Sequence, residues 1–149
     1  MMKFILRLFL MLIFIISYIE IAYSKTTKII FFGDSLIAGY GLIDEDNFVS
    51  QLKKKTLENK INNLTLFNSG VSGETSTGLL NRYKWVLEDN YDGVIILIGA
   101  NDALRGIDPS LTSQNIEKIL SYLKEKQIPT MLIGMKAPNN LGEMYVNEF

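Results

Sequence analysis

The sequence predicts a three-layer α/β/α domain built on a parallel sheet. Three observations point there. Four strand-length apolar runs alternate with helical patterns. The first and third runs are apolar nearly throughout, as strands covered on both faces are. The segment after each run is rich in Gly, Ser, Asn or Asp, which suits loops gathered at one sheet edge.

The strand runs are residues 28–32 (Lys-Ile-Ile-Phe-Phe), 63–67 (Asn-Leu-Thr-Leu-Phe), 93–98 (Gly-Val-Ile-Ile-Leu-Ile) and 130–135 (Thr-Met-Leu-Ile-Gly-Met). Phe48, Leu52 and Leu57 mark a helix over 47–60. Leu79, Leu80, Tyr83 and Leu87 mark a second over 75–90. Leu111, Ile116, Ile119, Leu120 and Leu123 mark a third over 109–127, ended by Pro129. Strand alternating with helix gives right-handed βαβ units. Residues 139–149 read as the start of one more helix. A fifth strand and last helix are expected after it, and the sequence does not contain them.

The first 24 residues predict a secretory signal peptide. Lys3 and Arg7 precede an unbroken apolar run over 8–16, and Ala22-Tyr23-Ser24 places small residues before a cut at Lys25. An uncleaved anchor is the rival, but Glu20 cuts the run short of the roughly 20 residues a span needs. Export to the periplasm or medium follows, with one domain over 25–149. Without cysteine there is neither a lipidated anchor nor a disulfide. Removing Lys3, Arg7 and Glu20 from 15 basic and 16 acidic residues leaves 13 and 15. That near-neutral balance argues against nucleic acid or an anionic membrane as the main partner. The sequence carries no indication of oligomeric state.

Ligands in open parallel sheets bind at the carboxyl ends of the strands. Those segments are Gly33-Asp34-Ser35-Leu36, Asn68-Ser69-Gly70-Val71-Ser72-Gly73-Glu74-Thr75, Gly99-Ala100-Asn101-Asp102 and Lys136-Ala137-Pro138-Asn139. Ser35 stands where a strand-to-helix turn exposes a hydroxyl beside free backbone N–H groups. It also reads as a helix cap. Gly73 lets a backbone N–H approach a ligand, or is an ordinary loop glycine. The Asn101 carboxamide can donate to an oxyanion, or form a turn with Asp102. No Gly-x-Ser-x-Gly elbow, Gly-x-Gly-x-x-Gly or P-loop occurs. Asp34 and Asp102 are read as shaping their own loops.

Taken together, Gly33-Asp34-Ser35-Leu36, Gly73 and Gly99-Ala100-Asn101-Asp102 resemble the first three blocks of SGNH hydrolases, the GDSL esterases and lipases. The likeness is closest to the exported bacterial arylesterases, acyl-CoA thioesterases and lysophospholipases. It extends through Ile37-Ala38-Gly39-Tyr40-Gly41-Leu42, through Ala103-Leu104-Arg105-Gly106 and through Gly134-Met135-Lys136-Ala137-Pro138-Asn139-Asn140-Leu141-Gly142. The resemblance implies a flavodoxin-like sheet and hydrolysis of a small-molecule carboxylic ester or thioester, with no cofactor and no metal. It implies Ser35 as nucleophile, and an oxyanion hole from the Ser35 N–H, the Gly73 N–H and the Asn101 side chain. The loop over 103–109 would border the acyl pocket, with Leu104 and Ile107 touching a fatty chain or packing beneath the loop.

One departure bears on activity. The family's last block, Asp-x-x-His, supplies the base, and this sequence contains no histidine. A truncated chain is the expectation, missing the last strand and helix and impaired as an enzyme. A Ser35–Lys136 dyad is the catalytic alternative. A non-catalytic ester- or carbohydrate-binding relative and a nonfunctional gene fragment are the other readings.

Overall fold

The computed structural model describes residues 25–149. The predicted signal peptide lies outside the described residues. The order of elements is β1 (Thr27–Gly33), α1 (Ser35–Ala38), α2 (Phe48–Glu58), β2 (Leu64–Gly70), α3 (Ser76–Val86), β3 (Gly93–Leu97), α4 (Ala100–Leu104), α5 (Pro109–Glu125), β4 (Thr130–Leu132) and α6 (Glu143–Glu148). Short 3-10 turns at Asp44–Asp46 and Asn139–Leu141 complete it. The four strands form one parallel sheet in the order β2-β1-β3-β4.

Strand alternation assigns the layers. Ile30, Phe32, Val94 and Ile96 point to one face, where Leu79 and Leu87 join them with Ile119 and Leu123 of α5. Phe31 and Leu66 point to the other, against Ile37 of α1 and Val49 of α2, with Ile29, Ile95 and Leu97 half-buried beside them. The predicted three-layer parallel architecture is what the chain adopts.

Strand bounds differ from expectation for local reasons. β2 runs three residues past Phe67, because β1 pairs with it to the end: Phe31 with Asn68, Phe32 with Ser69, Gly33 with Gly70. The polar Asn68-Ser69 pair hides this from an apolar-run reading. The second turn therefore begins at Val71. β4 stops at Leu132, not Met135. Ile133 N–H still donates to Ile96 O at 2.8 Å, but β3 ends at Leu97, and Gly99 turns away with φ +116°. β4 is one of the two edge strands, with Met131 59% and Leu132 42% exposed.

The helices start where their caps dictate. Asn47 Oδ1 accepts from Ser50 N–H at 2.9 Å, Thr75 caps α3, and Asp108 Oδ1 accepts from Ser110 N–H at 2.8 Å ahead of Pro109. Two inward faces depart from the apolar residues that mark the helices. In α2, Val49 is buried while Phe48 and Leu57 are exposed. In α5, Thr112 and Asn115 are buried and Leu111 is exposed.

Candidate active site

The first turn follows β1. A Cβ on Gly33 would lie 2.1 Å from Leu97 O, so β3 approaches too closely for any side chain. Asp34 N–H donates to that carbonyl at 3.3 Å. Asp34 caps α1 through Oδ1, which accepts from Leu36 N–H at 3.0 Å. The cap is thus Asp34, and the half-buried Ser35 opens the helix without serving as its cap. The Asp34 side chain is buried, and its Oδ2 has no partner among the described residues. Burial pushes its carboxyl above the usual range. The Leu36 N–H opposes the shift, while the negative charges of Glu74 and Asp102 add to it.

The second turn follows β2. Val71 N–H donates to Gly33 O at 2.9 Å, which lays it alongside the first. Glu74 N–H donates back to Val71 O at 3.1 Å, and Gly73 takes φ +80° at the third position. A type II turn needs that sign there. The third turn follows β3. Asn101, half-buried in α4, donates Nδ2–H to Glu74 O at 2.9 Å. This uses one amide hydrogen of Asn101 and leaves the other for a ligand. Adjacent strands and these lateral bonds bring the turns of Ser35, Gly73 and Asn101 side by side.

Buried polar groups lock the turns from below. Asp102 Oδ2 accepts from Ser76 N–H at 2.8 Å, and Oδ1 accepts from Ser76 Oγ at 2.6 Å and Thr112 Oγ1 at 3.2 Å. Asn115 Nδ2 donates to Ser76 Oγ at 3.0 Å. Asp102 therefore joins α3, α4 and α5, whereas the sequence suggested that it shaped only its own loop. Arg82 forms the second lock. Its Nε and Nη2 donate to Glu74 Oε1 and Oε2 at 2.6 Å each, and Nη1 and Nη2 donate to Ser69 Oγ and O at 2.8 Å. Its guanidinium lies 4.4 Å from the Phe32 ring centroid. Sequence reasoning missed both locks. One signal was available: Thr112 and Asn115 share the inward stripe of Ile119 and Leu123, a polar start to an apolar face.

The acyl-loop candidates separate. Leu104 is 71% exposed. Ile107 is half-buried, and its carbonyl accepts from Tyr145 Oη–H of α6 at 2.6 Å. A cleft of about 550 Å³ lies instead along α5 and the end of β4, lined by Ile98, Ile116, Leu120, Ile133, Met135 and Phe149 among others. Lys136 is exposed. Among the described residues no cluster of His, Cys, Asp or Glu is placed to hold a metal, and no helix is long and apolar enough to cross a membrane.

A parallel sheet with three bonded turns at its carboxyl edge, carrying Ser, Gly and Asn in that order, defines the class of SGNH hydrolase folds. The sequence profile of the GDSL-like lipase/acylhydrolase family matches residues 31–148, and the chain belongs to that family. It is 33% identical to an arylesterase of Vibrio mimicus over 86% of its own length and 64% of that protein's. Its fold superposes on AlinE4, an SGNH-hydrolase family esterase, with TM-score 0.79 at 41% identity, over 84% of this chain and 67% of the other. It superposes on the psychrotrophic esterase EstA of Pseudoalteromonas sp., solved as inhibited by monoethylphosphonate, with TM-score 0.77 at 33% identity, over 83% and 67%. The chain spans 58% to 64% of the length of the curated relatives it matches.

Proposed function

We propose that the chain acts on carboxylic esters or thioesters as an acyl hydrolase, with Ser35 as nucleophile. Ser35 Oγ attacks the acyl carbon and the carbonyl oxygen becomes an oxyanion. The Ser35 and Gly73 N–H groups and the free Asn101 amide hydrogen receive it. Collapse breaks the C–O or C–S bond and releases the alcohol or thiol, and water then hydrolyses the acyl-serine. The Ser35 proton must go to a base during attack. Histidine, the usual acceptor, does not occur in these 149 residues. The observation that carries this reading is the Asn101 Nδ2–H to Glu74 O bond, which fixes the third turn against the second beside Ser35.

The finer assignment is arylesterase, thioesterase or lysophospholipase activity, after the Vibrio mimicus arylesterase and the Escherichia coli thioesterase 1/protease 1/lysophospholipase L1, which is 30% identical over 85% of this chain and 59% of its own length. Export to the periplasm or medium is read from the N-terminal pattern alone. Ester binding without turnover is the second reading, and the experiment below separates the two. Residues 25–149 should be expressed alone and with a C-terminal extension from a close relative carrying Asp-x-x-His. The extended form should hydrolyse a short-chain aryl ester and lose that activity on Ser35→Ala. Activity that survives Ser35→Ala would refute the assignment. Ester binding by an extended form that stays inactive would favour the second reading.

A further inference from the structure

Arg105 contacts both residues to which the oxyanion is assigned. As the C-cap of α4, its backbone N–H donates to Asn101 O at 3.2 Å, and to Asp102 O at the same distance. Its side chain reaches across to the second turn, where Nη2–H donates to Gly73 O at 2.8 Å. The next carbonyl, Glu74 O, accepts from Asn101 Nδ2–H at 2.9 Å. Two successive peptide groups of the second turn are therefore held by the third.

This tether acts on a residue with little else to hold it. Gly73 is exposed, has the wide conformational range of glycine, and sits at φ +80°. A Cβ built on it would lie 3.6 Å from Arg105 Nη2, so the guanidinium stands over the side of Gly73 that a side chain would occupy. The Gly73 N–H lies in the preceding peptide, at the centre of the turn closed by Glu74 N–H and Val71 O, so holding the Gly73 carbonyl steadies that turn and limits how far its central peptide can rotate. The same guanidinium places a permanent positive charge beside the turn where negative charge would develop.

We propose that Arg105 is a positioning residue: it fixes the Gly73 amide relative to the Asn101 carboxamide, so that both aim at one point beside Ser35. This rests on the reading of Gly73 and Asn101 as the oxyanion hole. A donor held loosely stabilises the transition state less but leaves ground-state binding intact. Misplacement by about 1 Å costs on the order of 10²-fold in rate.

The test uses the full chain, a p-nitrophenyl alkylphosphonate and imidazole as external base. The Ser35 Oγ–P bond forms, p-nitrophenolate leaves, and imidazole takes the serine proton. Intact mass and released chromophore give the maximal labelling rate and the half-saturating concentration separately. Arg105→Ala should lower the maximal rate by about 10- to 100-fold. The half-saturating concentration should stay within about twofold, since the donors act on the transition state. Arg105→Lys, which can reach the same carbonyl with one donor, should recover much of the rate. An Arg105→Ala rate equal to wild type overturns the proposal. So does a loss shared equally between rate and saturation with a lowered melting temperature, which marks a structural role only.

Hydrogen exchange at the Glu74 amide provides a readout that needs no labelling. Its bond to Val71 O closes the Gly73 turn, and Arg105→Ala should speed its exchange about tenfold while α5 amides are unchanged. Unchanged exchange at Glu74 overturns the tether even if labelling is too slow to follow. Asn101→Ala separates the two levels. Wild-type labelling in that variant refutes the oxyanion-hole reading, while Glu74 exchange still reports on Arg105.

Discussion

Ser76 and Asp102, 26 residues apart, meet through two hydrogen bonds: the Ser76 N–H and hydroxyl donate to the two oxygens of one carboxylate, at 2.8 and 2.6 Å. Both residues are wholly buried. The pair joins the start of α3 to α4, and so holds the Gly73 and Asn101 turns at a set separation.

Ser76→Ala is expected to destabilise the domain by about 1–3 kcal/mol, because the Asp102 carboxylate loses a buried donor. Asp102→Ala should cost more, since it strands the Ser76 N–H and hydroxyl and removes the bond from Thr112. Urea denaturation of the two variants checks the order. Equal, negligible losses would contradict the network.

Arg82→Met leaves Glu74 buried without its cation. A loss of roughly 3–5 kcal/mol is expected. Adding Glu74→Gln should restore part of it, because the uncompensated charge goes with the carboxylate. A double-mutant cycle by thermal or urea unfolding measures the coupling.

Asp34 makes stability depend on pH. Its folded carboxyl titrates above the unfolded value of 3.8, because burial disfavours the charged form. The folded state then holds the proton more tightly than the unfolded one. This contribution is fully present below the unfolded value and is lost as pH rises through the folded value. Asp34→Asn should compare more favourably with wild type at pH 7 than at pH 4. The opposite trend in urea midpoints would show that Asp34 is held as the carboxylate.

Leu104 is exposed, so Leu104→Ser should change stability by no more than about 0.5 kcal/mol. In the extended form, Leu104→Ser combined with Ile107→Ser should weaken hydrolysis of long acyl esters more than of acetyl esters. Equal loss on both would show that neither side chain touches the acyl chain and that Ile107 serves the packing of the loop. The chain-length profile of kcat/KM decides.

Export predicts a mature N-terminus at Lys25. Mass spectrometry of protein from its native host checks this. Soluble cytoplasmic protein that retains Met1 would contradict it.

The layers were legible because Ile30, Phe32, Val94 and Ile96 carry their burial in an apolar run that alternates between two packed faces. That the turns of Ser35, Gly73 and Asn101 lie side by side was legible because each follows a strand at the same edge of the sheet. The locks beneath them were not. Arg82 and Glu74 look like ordinary solvated charges on a helix and in a loop, and only the juxtaposition of β1, β2 and α3 buries them. The end of β2 was hidden by Asn68 and Ser69, which belong to the strand because β1 offers them backbone partners. The first turns of the inward face of α5 were not legible because two of its positions, Thr112 and Asn115, hold polar side chains that hydrogen-bond where apolar ones would pack.

The strand order also dictates a sequence of events. β1 lies between β2 and β3, and its pairing with β3 joins Ile29 to Gly93 and Gly33 to Leu97, contacts 64 residues apart in the chain. Phe31 and Phe32 therefore keep one unpaired flank until residue 97 has been made. Such non-local pairing slows folding, because a long loop must close before the contact forms. During that interval a strand carrying Ile29, Ile30, Phe31 and Phe32 is an open template for other strands. A nascent chain of this topology thus depends on whatever shields its first strand while the third is still being synthesised.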